Sequence, residues 1–158
     1  MNKKVCFVCH ANICRSFSAE CFLIDFLKKA GRNDVEVISR GIYAQSYFAV
    51  PSKITDFLAS KGIKQPPHTA ALLTREDMQS CDLILTMTED QKEYILDRYA
   101  EYSDKVYTLY EFVYDKEESI KDPISLSGRS FDKVLEEIYK TVKALSEKIQ
   151  FGNLNPGK

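Results

Sequence analysis

Histidine is scarce in this chain, occurring only at His10 and His68, too few to suggest a bound metal. No sign of charge dominates. Lys and Arg total 22 against 23 Asp and Glu, so the basic excess that would point to nucleic acid or an anionic membrane is missing. No run reads as a signal peptide, a transmembrane span or a repeat. The five cysteines, Cys6, Cys9, Cys14, Cys21 and Cys81, show neither a secreted disulfide framework nor zinc-ligand spacing. The expected compartment is the cytoplasm. At 158 residues the chain can bury an adequate core without staples. One domain over 1–150 is expected, with a frayed tail over 151–158, where Gly152, Pro156 and Gly157 interrupt any apolar periodicity.

What the chain does have is the octapeptide Cys9-His10-Ala11-Asn12-Ile13-Cys14-Arg15-Ser16, set between an apolar run and a helical one. Val5-Cys6-Phe7-Val8 reads as a buried strand. From Ser16 to Ala30, the residues Ala19, Phe22, Leu23, Phe26 and Leu27 recur at helical spacing. The loop therefore opens a helix, where unpaired amides and the helix dipole favour an anion. Five residues separate Cys9 from Arg15, so a curled loop can turn successive N–H groups inward with the guanidinium across its mouth. Arg suits a phosphoryl group because its planar fork binds two oxygens and it keeps its charge. The same positive field favours a thiolate nucleophile at Cys9, to which Ser16 can donate. Alone, the Cys–Arg spacing is a weak signal, since a structural cysteine beside a surface arginine gives the same pattern.

Strands are predicted near 4–9, 35–39, 82–86 and 105–108, and helices near 16–30, 51–61, 74–80, 88–99 and 130–149. Such alternation implies right-handed βαβ units on a parallel sheet.

Cys9-x-x-Asn12-Ile13-Cys14-Arg15-Ser16, followed by Ala19-Glu20, resembles the signature of the low-molecular-weight protein tyrosine phosphatases. The likeness continues through Ser39-x-Gly41, His68 before Leu72-Leu73-Thr74-x-Glu76-Asp77, Asp82-Leu83-Ile84-Leu85-Thr86-Met87, and Asp122-Pro123 before the last helix. It implies an α/β fold of three layers, with a central four-stranded parallel sheet in the order 2-1-3-4 and helices on both faces. The first strand then sits at a switch point, where ligands bind beyond the carboxyl ends of strands.

The resemblance also implies roles. Cys9 would form a phosphocysteine while Arg15 and the loop from His10 to Ser16 hold phosphate or a similar oxyanion. Asp122 would protonate the leaving group and then act as base towards water. Read alone, Asp122-Pro123 is more often a turn before a helix. Asn12, Ser39 and His68 would join Ser16 in a network that keeps the loop in shape; His68 alone would be an ordinary histidine. Neither a metal nor another cofactor is implied. Cys14 has two readings: by resemblance a redox partner that pairs reversibly with Cys9, or a residue packed behind the loop. Cys6, Cys21 and Cys81 are expected in the core.

Departures from the family pattern bear on substrate. Ala11 stands where glycine is usual and would alter the loop through its Cβ. Phe17 replaces a usual proline and is expected at the rim with Tyr43, Tyr47 and Ile124; Phe48 lies in the same segment as the two tyrosines. Ile124 and Ser125 replace two tyrosines of animal members, and Ala71 replaces an arginine. The Leu72-Leu73-Thr74 and Leu85-Thr86-Met87-Thr88 stretches resemble the bacterial branch that includes protein arginine phosphatases. Those carry threonine at the position of Ile13. An aliphatic Ile13 packs on an aromatic ring but leaves a guanidinium unpaired, so the expected partner is a phosphotyrosine-containing protein or peptide, with phosphoarginine as the alternative. Arsenate reductases share the fold but need a further downstream cysteine pair, and this chain has only Cys81 there. A non-catalytic phosphopeptide-binding module would be expected to lose one of Cys9, Arg15 or Asp122. A monomer is expected.

Overall fold

The computed structural model describes residues 2–150; the expected frayed tail at 151–158 lies outside them. Four strands, β1 (Lys3–Cys9), β2 (Val35–Gly41), β3 (Leu83–Thr86) and β4 (Val106–Thr108), form one parallel sheet in the order β2-β1-β3-β4. This is the order that the resemblance implied. The helices are α1 (Arg15–Lys29), α2 (Ser52–Ser60), α3 (Arg75–Ser80), α4 (Glu89–Arg98), α5 (Leu109–Tyr114) and α6 (Gly128–Gln150), with a 3-10 turn over Ala100–Lys105. Every predicted helix and strand is present within two residues of its expected ends.

Strand alternation divides β1 between two cores. Val5, Phe7 and Cys9 face the larger apolar cluster, which contains residues of α1, α2, α5 and α6. Cys6 and Val8 face the smaller one with Met78 of α3, Ile95 of α4 and Cys81. Helices therefore cover both faces, and the nearly continuous apolar run of β1 is explained by burial on both sides. Cys81 lies thiol to thiol with Cys6 in that smaller cluster, and burial pushes the Cys6 thiol well up. Among the described residues, no helix is long and apolar enough to cross a membrane.

Three helices start with reciprocal caps. Thr74 with Asp77, Thr88 with Gln91 and Thr108 with Glu111 each form a capping box, which satisfies two orphan amides per helix. The last of these opens α5, which the sequence reading missed. Its signal was present as Thr108-x-x-Glu111 interleaved with apolar Leu109, Tyr110 and Phe112; the helix follows β4 with no intervening residue, so no break in the sequence marks its start.

Candidate active site

Cys9 ends β1 and Arg15 begins α1, so the sheet and the helix fix the two ends of the loop. Cys14 stands at the N-cap of α1, where no side chain caps the helix and no acidic residue occupies the first turn. The first-turn amides are thus left for an anion. Asn12 has φ 63°, the left-handed conformation that Asn tolerates better than most residues. Ala11 adopts no positive φ, so the methyl in place of the usual glycine imposes no backbone strain at its own position.

A second backbone layer presses on the loop from β2. Ile42 and Tyr43 donate their amides to the carbonyls of Cys9 and His10 at 3.0 and 2.8 Å. Gly41 lies so close that a Cβ there would come within 2.7 Å of the His10 carbonyl oxygen. This explains the glycine in Ser39-x-Gly41: close approach of two backbones excludes any side chain.

Side chains complete the support. Ser16 Oγ and Cys9 Sγ are 2.9 Å apart. Asn12 Nδ2 donates to both Ser16 Oγ and Ser39 Oγ, each at 2.9 Å, and Asn12 Oδ1 accepts from the Ala71 amide at 3.1 Å. His68 Nε2 donates to the Asn12 carbonyl at 2.7 Å. Ser39 Oγ in turn donates to Glu20 Oε1 at 2.6 Å. Because Ser39 gives its proton to Glu20, it must accept from Asn12; Ser16, also an acceptor from Asn12, keeps its proton for Cys9 Sγ. Glu20 was singled out in the sequence only as part of the signature. Its place in this network depends on β2 lying against α1. Burial pushes the Glu20 carboxyl up, opposed by the Ser39 hydrogen bond.

The loop floors a cavity of about 150 Å³ lined by Cys9, His10, Ala11, Ile13, Cys14, Arg15, Asp122 and Ile124. Arg15 is buried, and its Nη1 donates to the Ile120 carbonyl at 2.9 Å while Nη2 lies 3.5 Å from Asp122 Oδ2. Asp122 Oδ1 accepts from the Ile124 amide at 3.1 Å, an Asx turn. Asp122 is thus both a turn former and a carboxylate at the cavity mouth. Cys14 is buried in the cavity wall. Its thiol is pushed up to about 12, first by burial and then by the neighbouring Cys9, so it stays protonated at neutral pH.

Of the expected rim residues, Ile124 lines the cavity and Tyr43 flanks it, stacked on His10 with centroids 5.5 Å apart. Phe17 does not lie at the rim. It is fully buried and stacks on the His68 ring at 4.0 Å, because its position in the first turn of α1 faces the core. It holds the histidine that holds the loop. Tyr47 is 80% exposed and reaches the site only through Phe48 and Tyr43; it does not line the cavity.

The model of the family "Low molecular weight phosphotyrosine protein phosphatase" matches residues 4–153. A protein-arginine-phosphatase of Bacillus subtilis is 31% identical over 146 residues, covering 92% of this chain and 96% of its own. The low molecular weight protein-tyrosine-phosphatase PtpB of Staphylococcus epidermidis is 34% identical over 148 residues, covering 94% and 97%. Among solved structures, a mutant of the YwlE arginine phosphatase with a phosphorylated active-site serine superposes with a TM-score of 0.88 at 29% identity, covering 93% of this chain and 95% of that one. The match runs nearly end to end in sequence and in topology, and the strand-to-helix loop with its cysteine and arginine lies inside it. On that extent of agreement, the chain belongs to the low molecular weight phosphotyrosine protein phosphatase family.

Proposed function

We propose that this phosphatase hydrolyses phosphotyrosine in proteins or peptides through a phosphocysteine on Cys9. The observation that carries the reading is the meeting of a thiol, a buried guanidinium and a carboxylate around one small cavity. With Nη1 committed to Ile120, the Nε–Nη2 edge of Arg15 is the one available to grip two phosphoryl oxygens.

In the first step, Cys9 Sγ attacks phosphorus in line as the bond to the leaving oxygen breaks. Arg15 and the loop amides gather the charge on the equatorial oxygens. Asp122 gives its proton to the departing phenolic oxygen, and that proton belongs on Oδ2, since Oδ1 accepts from the Ile124 amide. In the second step, water attacks phosphorus, passes a proton to Asp122, and the S–P bond breaks. Ser16 stabilises the thiolate as it leaves. A phosphorylated active-site serine in the YwlE mutant supports an intermediate on the nucleophile's side chain.

Ile13 and Ile124 give the cavity aliphatic walls, suited to a phenyl ring and offering nothing to the polar edge of a guanidinium. Arginine phosphatases among the relatives supply the second reading, phosphoarginine with the same chemistry. We assign the site to a single domain over 1–150, which contains Cys9, Arg15 and Asp122, and take the enzyme to act as a monomer in the cytoplasm. Cys14 is assigned to packing behind the loop, because its side chain is buried in the cavity wall.

Release of phosphate from phosphotyrosine, phosphoarginine and phosphoserine peptides, by wild type and Cys9→Ser under reducing conditions, tests this reading. Preference for phosphotyrosine with loss in the variant is expected. Preference for phosphoarginine overturns the substrate, and turnover retained by Cys9→Ser overturns the mechanism.

A further inference from the structure

The loop that carries Asp122 is tied at both ends. Upstream, the Ile120 amide donates to the Met87 carbonyl at 2.8 Å, and the Ile120 carbonyl accepts from Arg15. Downstream, the tie comes from Lys53, in the first turn of α2. Its ammonium donates to the carbonyls of Ile124 at 3.1 Å and Leu126 at 2.8 Å, and sits 4.8 Å from the centre of the Phe131 ring. A lysine that spends its donors on two backbone carbonyls and an aromatic face is built to hold a segment in place. Ile124 faces both ways through its two flanking peptide units, because its amide donates to Asp122 Oδ1 while its carbonyl accepts from Lys53.

We propose that Lys53 is a positioning residue for the acid step: by clamping the carbonyls of Ile124 and Leu126 it fixes the Ile124 amide that orients the Asp122 carboxyl over the phosphate cup. The proposal rests on Asp122 being the proton donor. Lys53 touches no reacting atom. It acts through Ile124, and its loss lets the 122–126 turn drift while the Cys9–Arg15 cup, supported separately by Asn12, Ser39 and His68, stays intact.

The test is the leaving-group dependence of kcat/KM, which a general loss of structure would not change. Phenyl phosphate needs its leaving oxygen protonated, whereas p-nitrophenyl phosphate expels a far weaker base. Lys53→Met removes the donors and keeps the stem. Its kcat/KM for phenyl phosphate should fall roughly ten- to a hundredfold, the scale of a small misplacement of a catalytic group, with a much smaller fall for p-nitrophenyl phosphate. Adding Lys53→Met to Asp122→Asn should produce no further selective loss, since the group it positions is already gone. Equal losses on both substrates, no loss on either, or a selective loss persisting in the double variant would overturn the proposal. If Asp122→Asn itself shows no leaving-group dependence, the assignment of the acid fails instead. Should Lys53→Met melt below the assay temperature, Lys53→Gln, a shorter and uncharged donor, is put through the same ratio and judged by the same outcomes.

Discussion

Arg15 and Asp122 meet at the mouth of the phosphate cup, Nη2 to Oδ2 at 3.5 Å, while the other arm of the same guanidinium holds the Ile120 carbonyl. One side chain therefore ties the segment that carries Asp122 to the loop that carries Cys9. The phosphate cup and the acid loop come from residues more than a hundred positions apart in sequence, and Arg15 joins them.

Arg15→Lys keeps the charge but cannot span three directions with a planar fork. A loss of roughly 10²- to 10³-fold in kcat/KM is expected, on the scale of removing a preorganised charge-stabilising donor. Steady-state kinetics on an aryl phosphate check this; a loss below tenfold would mean that charge alone suffices.

Gly41→Ala introduces a methyl 2.7 Å from the His10 carbonyl oxygen and 3.0 Å from Ala44 Cβ. Neither neighbour is the end of a flexible side chain, so the backbone must shift, at a cost of about 1 to 3 kcal/mol. Both the melting temperature and phosphate affinity should drop, because the displaced carbonyl belongs to the cup. Thermal melts with and without phosphate check it, and an unchanged phosphate-induced shift would contradict it.

Burial raises the thiols of Cys14 and Cys21 to about 12, so at pH 7 both are neutral and unreactive. Iodoacetamide at that pH should modify Cys9, with protection by phosphate, and leave Cys14 and Cys21 untouched until the protein unfolds. Peptide mapping by mass spectrometry reads this directly. Early labelling of Cys14 would refute its assignment as a packed, protonated residue.

Glu20 is held above its ordinary range by burial. A carboxyl whose folded value is raised binds its proton more tightly when folded, so its contribution to stability is fully present below the unfolded value and is lost as pH rises through the folded one. Glu20→Gln removes the titration and keeps an acceptor for Ser39. Relative to this variant, the wild type should lose melting temperature as pH rises from about 4 towards neutrality. Parallel curves would show that Glu20 is not strained by burial.

The strand-to-helix loop was legible because its information is local. Cys9, Arg15 and Ser16 lie within one turn and one loop, and apolar periodicity on either side marks where the sheet ends and the helix starts. The same locality revealed the helices capped by Thr74 and Thr88, whereas α5 escaped because it follows β4 with no intervening residue to mark its start. Ala11, a departure in sequence, is accommodated at an ordinary φ, which residue identity alone does not reveal. Phe17 misled for a related reason. Its neighbours in sequence line the site, but its direction from the helix axis sends it into the core against His68, and a linear reading has no access to that direction.

By itself the sequence determined the alternation of strands and helices and the phosphate loop, which are properties of short segments or of their succession, and the order of its motifs carried the family resemblance that implied the sheet order. Only the tertiary structure decided which distant groups converge: Gly41 against His10, Glu20 on Ser39, Ile120 on Arg15, and Lys53 on the turn after Asp122. Contacts of that kind depend on strand register and on how helices pack across the sheet. They are set by the summed burial of whole faces rather than by any one residue's neighbours in the chain.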